Sequence, residues 1–401
     1  MNESIENEYY DLLLRRCISP NGSLFIFCNK VCLKYVRKIE EKARMMGFSD
    51  IHLEIQDSDK IIEKLNSISL EEIASDPFFA CEKWNEYAKK GASFLILKTE
   101  MPGYMSSVPG EKIVEMNRTQ RFNQRPYKEL QLSYRISWCI AILPNECWGR
   151  KLFPQSERPE EELFDKIVSM CMVNGDGTSV SKWNSLIVKN TERVEKLNSL
   201  GIKELHYQSA KGTDFRIGLS RRALWEGTSK EGMIVNMPSF EIFTIPDCNR
   251  IDGDVYSTKP LSFNGALVEG FHLTFRNGRI VNVEASKGED VLKNLVKSTK
   301  GSDTLGEVAL VDADSPISRT NINFGNTLFD ENASCHLAIG NAFPHNLSGY
   351  DDLDQEGLKK EGFNKCDLHV DFMIGDDTLN ITAVTYDGEE TQIMKNGRIV
   401  L

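Results

Sequence analysis

Few features of this sequence are basic, membrane-like or cross-linked. No CxxC pair occurs, and the ten cysteines are scattered rather than set at small-domain disulfide spacings. Cys28 in SLFIFC and Cys139 in SWCIAIL sit in apolar runs, as core thiols do. That pattern suits a reducing compartment. No stretch approaches the ~18 consecutive apolar residues needed to span a bilayer. The opening residues, MNESIENEYYDLL, carry neither a basic n-region nor an apolar h-region, so a secretory signal is not expected. The expectation is a cytoplasmic protein with no membrane partner. Basic charge is also scarce, since 48 Lys and Arg stand against 59 Asp and Glu, a net charge of −11. Nucleic-acid binders usually present a basic face, so no nucleic-acid partner is expected. The acidic excess is compatible with metal cations or with substrates bearing a free amino group, and it selects neither. Internal repeats and low-complexity tracts are missing as well.

What is present is an ordinary globular composition, 40% hydrophobic and 27% charged, over 401 residues. That length suits two domains of about 100–200 residues each. The first half alternates short apolar strands with amphipathic helices. Ser23–Phe27, His52–Ile55, Ala92–Lys98 and Ile136–Leu143 read as strands. Val31–Met46, Phe78–Lys90, much of Glu111–Leu132 and Trp183–Leu200 read as helices, and Gly47, Gly91 and Gly201 are placed to end three of them. This alternation predicts a mostly parallel, doubly wound α/β sheet. Near residue 197 the chain changes to short strands, many Gly and Asn, and hairpin-like turns such as Arg276-Asn277-Gly278-Arg279. Hence an α/β domain is expected over 1–197 and an α+β domain over 198–401.

Chemistry-bearing residues gather late in the chain. Of only six histidines, three (His336, His345 and His369) follow residue 330. In LHVDFMIG, His369 and Asp371 share one strand face while Val370, Phe372 and Ile374 share the other. An isolated HxD is most often a buried His with its hydrogen-bonding partner, so its neighbours must decide. Glu307 lies in LGEVALV, Glu241 in NMPSFEIFTIPD, and Glu331 and His336 five apart in DENASCH. A carboxylate inside an apolar run is costly unless it is paired or binds a cation. Together Glu241, Glu307, Glu331, His336, His369 and Asp371 could form a dinuclear site. Two metals ~3.5–4 Å apart can share a bridging carboxylate, polarise a carbonyl and activate water. Imidazole with carboxylates suits Zn, Co or Mn. GDGT at Gly175–Thr178 lacks the Lys of a phosphate loop, and DDLD at Asp351–Asp354 continues unlike a calcium loop, so both read as turns or solvated loops.

The blocks NMPSFEIFTIPD, LGEVALV, SPISRTNINFGNTLFDENASCHLAIGNAFP and HVDFMIG resemble, in order and spacing, those of the M29 metallo-aminopeptidases, the aminopeptidase T/S group. GTDF, SWCIAILPNECWGRKLFP and the EMPG turn extend the resemblance into the first half. It implies that the six residues named above ligate two divalent ions. It also implies a peptide substrate with a free N-terminus, an α/β domain followed by a metal-bearing domain, and a homodimer. Glu307, or else Glu331, is the carboxylate expected to relay a proton. One departure stands out. The family carries tyrosine in an A-Y-P triplet, whereas this chain has Ala342-Phe343-Pro344. A phenol can donate to a developing oxyanion and a phenyl ring cannot; losing one such donor typically costs about 10²–10³ in turnover. Phe240, where the family usually has glycine, is a milder departure. Tyr350 and His345 are the nearby replacements for the lost donor. Two alternatives stay open: a catalytically impaired homologue that binds metal and peptide, and a mononuclear iron enzyme with a facial triad of two histidines and a carboxylate.

Overall fold

The computed structural model of the protein describes residues 2–18, 22–230, 232–263 and 266–401. Its contacts divide the chain into two compact units. One comprises Met1–Trp183 with Ser229–Pro238, and the other comprises Asn184–Thr228 with Ser239–Leu401. The division is therefore not a single change-over near residue 197. Ser229–Pro238 counts with the first unit because its strand Asn236–Met237 pairs with a strand of that unit's sheet.

In the first unit, β1 (Ser23–Asn29), β2 (Asp50–Gln56), β3 (Ser93–Lys98) and β4 (Trp138–Ile142) form a parallel sheet in the order β2-β1-β3-β4, with Asn236–Met237 at the far edge. Leu24, Phe25 and Ile26 are all fully buried, so both sides of β1 are covered. Burial on both faces is why such strands read as continuous apolar runs rather than alternating ones. The aromatic side, around Phe25 and Phe94, packs against Trp84 and Tyr87 of helix Glu82–Lys89 and Tyr127 of helix Arg125–Leu132. The predicted doubly wound α/β unit is present.

Two local departures from the sequence pattern have clear causes. The helix after β1 runs only Leu33–Met45, because the Asn29 side chain accepts from the Val31 N–H and sets up a 3-10 turn over Lys30–Cys32. The long helix expected around Glu111–Leu132 is two, Gly110–Asn123 and Arg125–Leu132. Pro126 has no N–H to continue a helical ladder and is tolerated only in a helix's first turn, so a new helix starts there. No described helix is long and apolar enough to cross a membrane.

The second unit is built on antiparallel pairing. Its larger sheet is nine-stranded among the described residues and includes Ile202–Gln208, Asp214–Gly218, Ile251–Tyr256, Ala266–Arg276 and Asn380–Thr385. The Asn277-Gly278 turn joins Ala266–Arg276 to Arg279–Lys287; both turn residues have positive φ, 49° and 83°, as a tight two-residue hairpin requires. A second sheet holds β5 (Ile242–Thr244), β6 (Leu305–Leu310), β7 (His336–Gly340) and β8 (His369–Met373), in that order and all antiparallel. Its apolar face carries Val308, Leu310, Leu337, Ile339 and Phe372, which join one core with Leu205, Phe215 and Leu273 of the larger sheet. The residues between them must then face the other way.

Candidate metal centre

Register fixes that second face. Glu307 pairs with Ala338, which pairs with Asp371, so the three form one row across β6, β7 and β8. Ala309 pairs with His336, and Gly340 with His369, which places both histidines on the same face as the row. The alanine between the two carboxylates leaves the centre of the row without a bulky side chain. A bulge between Leu305 and Glu307 adjusts β6, and only glycine fits its middle. A Cβ on Gly306 would come within 2.2 Å of the Asn341 carbonyl oxygen. Glu241 enters from the residue just before β5. Glu331 ends helix Thr327–Glu331, whose first turn is capped by Asn326 accepting from the Phe329 N–H.

The groups converge closely. His336 Nε2 lies 3.3 Å from a Glu241 oxygen and 3.6 Å from Glu307 Oε1. His369 Nε2 lies 3.0 Å from Glu307 Oε2 and 3.2 Å from Asp371 Oδ1. Glu307 thus turns one oxygen to each histidine. Potential ligand atoms of Glu241, Glu307 and His336 fall within 4.8 Å of one another, as do those of Glu307, His369 and Asp371. Glu307 belongs to both groups.

Both imidazoles are oriented from behind. His336 Nδ1 is 3.1 Å from the Ser334 carbonyl and His369 Nδ1 is 2.8 Å from the Asn341 carbonyl. An Nδ1–H donated to a carbonyl leaves the Nε2 lone pair aimed into the site, the arrangement usual for a metal-bound histidine. The electrostatics match a place that attracts cations. Burial raises the Glu331 carboxyl well above its usual range, and the charges of Glu241 and Asp371 raise it further. Burial likewise raises Glu241, against the opposing pull of His336. Burial also opposes ionisation of Glu307, but hydrogen bonds from His336 and His369 outweigh it and bring its pKa down to about 2. Burial disfavours charge on both histidines, and the surrounding carboxylates nonetheless raise their pKa well above normal. Four carboxylates around two imidazoles fit divalent cations, whose charge takes the place of protons that the cluster otherwise holds.

The M29 family, described as thermophilic metalloproteases, matches residues 3–399. The chain belongs to that family. It is 39% identical to aminopeptidase AmpS of Bacillus subtilis over 372 residues, covering 90% of each chain. It is 34% identical to aminopeptidase T of Thermus thermophilus over 379 residues, covering 92% of this chain and 91% of that one. The structure of wild-type AmpT from Thermus thermophilus superposes with a TM-score of 0.90 at 30% identity, covering 99% of both chains. For this M29 protein, the fold expected from the sequence, an α/β domain joined to an α+β domain, is therefore the observed one.

Within the M29 chain, the position taken by Phe343 adjoins the cluster. Its ring centroid is 4.7 Å from that of His369 and 5.5 Å from that of His345, which stacks on it at 17°. Phe243 stands edge-on to the Phe343 ring at 6.1 Å. His345 also approaches Glu226 at 3.5 Å. Tyr350, the other residue considered as a replacement donor, packs against Phe363 instead, at 5.1 Å. Phe240 is buried, and its backbone N–H donates to Asn332 Oδ1 at 2.6 Å, tying the Glu241 segment to the helix that ends in Glu331. Sequence reasoning missed Asn332, Asn341 and Ser334 as supports. Asn332 is fully buried beside Glu331 in the chain. Ser334 and Asn341 act through backbone carbonyls, which leave no signal in the sequence.

Proposed function

We propose that this M29 protein is a dinuclear metal-dependent aminopeptidase that removes N-terminal residues from peptides. The observation that carries the two-ion form is the sharing of Glu307, one oxygen toward His336 and the other toward His369. Glu241 and His336 would hold one ion, His369 and Asp371 the other, with Glu307 between and Glu331 completing the set. Bound Zn, Co or Mn supplies positive charge that polarises the scissile carbonyl and makes water acidic enough to attack at neutral pH. The chain's own residues supply the rest. The backbone carbonyls of Ser334 and Asn341 fix the imidazoles, so the ligand geometry is set before substrate arrives. Glu307 or Glu331 would relay a proton from water to the leaving amine. Glu307 turns one oxygen to each histidine, which supports a role shared by both ions.

Phe343 favours a second reading, in which the site binds metal and peptide but turns over slowly. Its ring occupies a place beside His369 where it offers no hydroxyl. Metal analysis together with an assay of aminoacyl substrates separates the readings. Two non-iron divalent ions per chain with ready turnover support the aminopeptidase. Two ions with negligible turnover support the impaired form, and a single iron per chain points to the mononuclear alternative. The assembly proposed is a homodimer in the cytoplasm; a single-chain mass in sedimentation at micromolar concentration would refute the dimer.

A further inference from the structure

The first unit contains a separate cavity of about 630 Å³, a volume typical of small-molecule sites. Its place in the fold is specific. The order β2-β1-β3-β4 reverses direction at β1, and Asn29, Gln56 and Lys98, the last residues of β1, β2 and β3, all line the cavity. In open parallel sheets, ligands bind in the crevice beyond the strands' carboxyl ends at such a reversal. One wall is aromatic: Trp84 lies 5.4 Å from Phe27 and 4.9 Å from Tyr127, ring centre to ring centre.

The polar lining holds three carboxylates and two lysines, which differ in how they are partnered. The acids on it are already engaged. Glu54 pairs with His52 at 2.9 Å, Asp57 pairs with Lys30 at 2.8 Å, and Glu100 has a partner too. Among the described residues, neither lysine has a carboxylate partner. Lys128 donates to a neutral amide, Gln131 Oε1, at 2.8 Å, and its ammonium stands 5.2 Å from the Tyr127 ring centre. Burial, and then the charge of Lys98, push its pKa down to about 8; no carboxylate offsets them. Tyr127 borders the cavity but is itself fully buried, and its hydroxyl has no hydrogen-bond partner among the described residues, although such groups are normally satisfied. The turn after β1 is Lys30-Val31-Cys32, without the glycines of a phosphate cradle, so a nucleotide pyrophosphate is not the fit.

We propose that this cleft is a second ligand site, distinct from the carboxylate–histidine cluster, that takes a small aromatic carboxylate. The flat body lies along the aromatic wall at Phe27 and Trp84, and the acid group sits between Lys98 and Lys128. An anion there relieves the repulsion between the two lysines.

Calorimetric titration of the full, metal-loaded chain tests this with three probes: 4-hydroxyphenylacetate, its uncharged relative phenylacetamide, and inorganic phosphate. The expected result is saturable binding of 4-hydroxyphenylacetate at about millimolar or tighter, with no comparable binding of the other two. Lys98→Ala, at an exposed position, and Lys128→Met, which keeps the stem, should each weaken binding about tenfold. Both should leave hydrolysis of aminoacyl substrates at the wild-type rate. Equal binding of phenylacetamide, binding of phosphate alone, unchanged affinity in both lysine variants, or no heat up to about 10 mM would each overturn the proposal.

Discussion

The parallel sheet β1–β4 and the antiparallel sheet β5–β8 expose polar chemistry in different ways. In the first, helices and loops cover both faces, and polar side chains gather where the strands end. In the second, one face enters the core through Val308, Leu337 and Phe372, and the other presents Glu307, His336, His369 and Asp371. The contrast follows from connectivity. Crossover helices bury both sides of a parallel sheet, whereas an antiparallel sheet needs to bury only one. A strand ending supplies one or two functional groups per strand; a sheet face supplies a row at fixed spacing. The dense cluster is therefore on the face and the roomy cavity at the edge.

The sharpest way to break this comparison is to disable the shared carboxylate. Glu307→Gln should lower kcat/KM by several kcal/mol, about 10³-fold, and reduce bound metal below two ions per chain. Retention of both ions and full rate would remove the bridging role. The same ligands should bind metal less tightly as pH falls. Glu241 and Glu331 have raised pKa values, so protons compete for them, and a metal titration from pH 8 to 5 should show steadily weakening affinity.

The next effect concerns the ring beside His369. Phe343→Tyr should raise kcat by up to about 10²-fold if the added hydroxyl reaches the reacting carbonyl, with metal content unchanged. An unaltered kcat would mean that another donor already serves, and His345, stacked on that ring, is then the residue to replace. Behind the ligands, Asn332→Ala should reduce metal affinity about 10–100-fold by freeing the Glu241 segment, as read by competition with a chelator.

The opposite face should behave differently. Leu337→Ala should cost about 2–5 kcal/mol of stability in denaturant melts, since the side chain is fully buried, while metal stoichiometry in the folded protein stays at the wild-type value. The smallest effect is expected at the strand-end cavity. Tyr127→Phe removes a hydroxyl that has no partner, so stability should shift by less than about 1 kcal/mol. A larger loss would mean that the phenol is satisfied within the fold.

Sequence alone determined the element types and the facing of the candidate ligands. Continuous apolar runs separated by amphipathic helices are legible because burial on both faces leaves no alternation, and HVDFM is legible because strand geometry sends His369 and Asp371 to one side. Asn277-Gly278 signalled its hairpin because few residues other than glycine and asparagine tolerate the required φ. Other features depend on residues far apart in the chain. Pairing of Glu307 with Ala338 and Asp371 joins positions 31 and 64 apart in sequence. The carbonyls that orient the histidines are backbone atoms, so no residue type announces them. Nothing in the local sequence of Asn332 signals its burial or its bond with the Phe240 N–H. The cavity at β1–β3 arises from strand order, which periodicity does not encode. Local propensity and alternation are short-range and readable from neighbours in sequence; register, order and burial are set by long-range packing, and only the folded chain decided them.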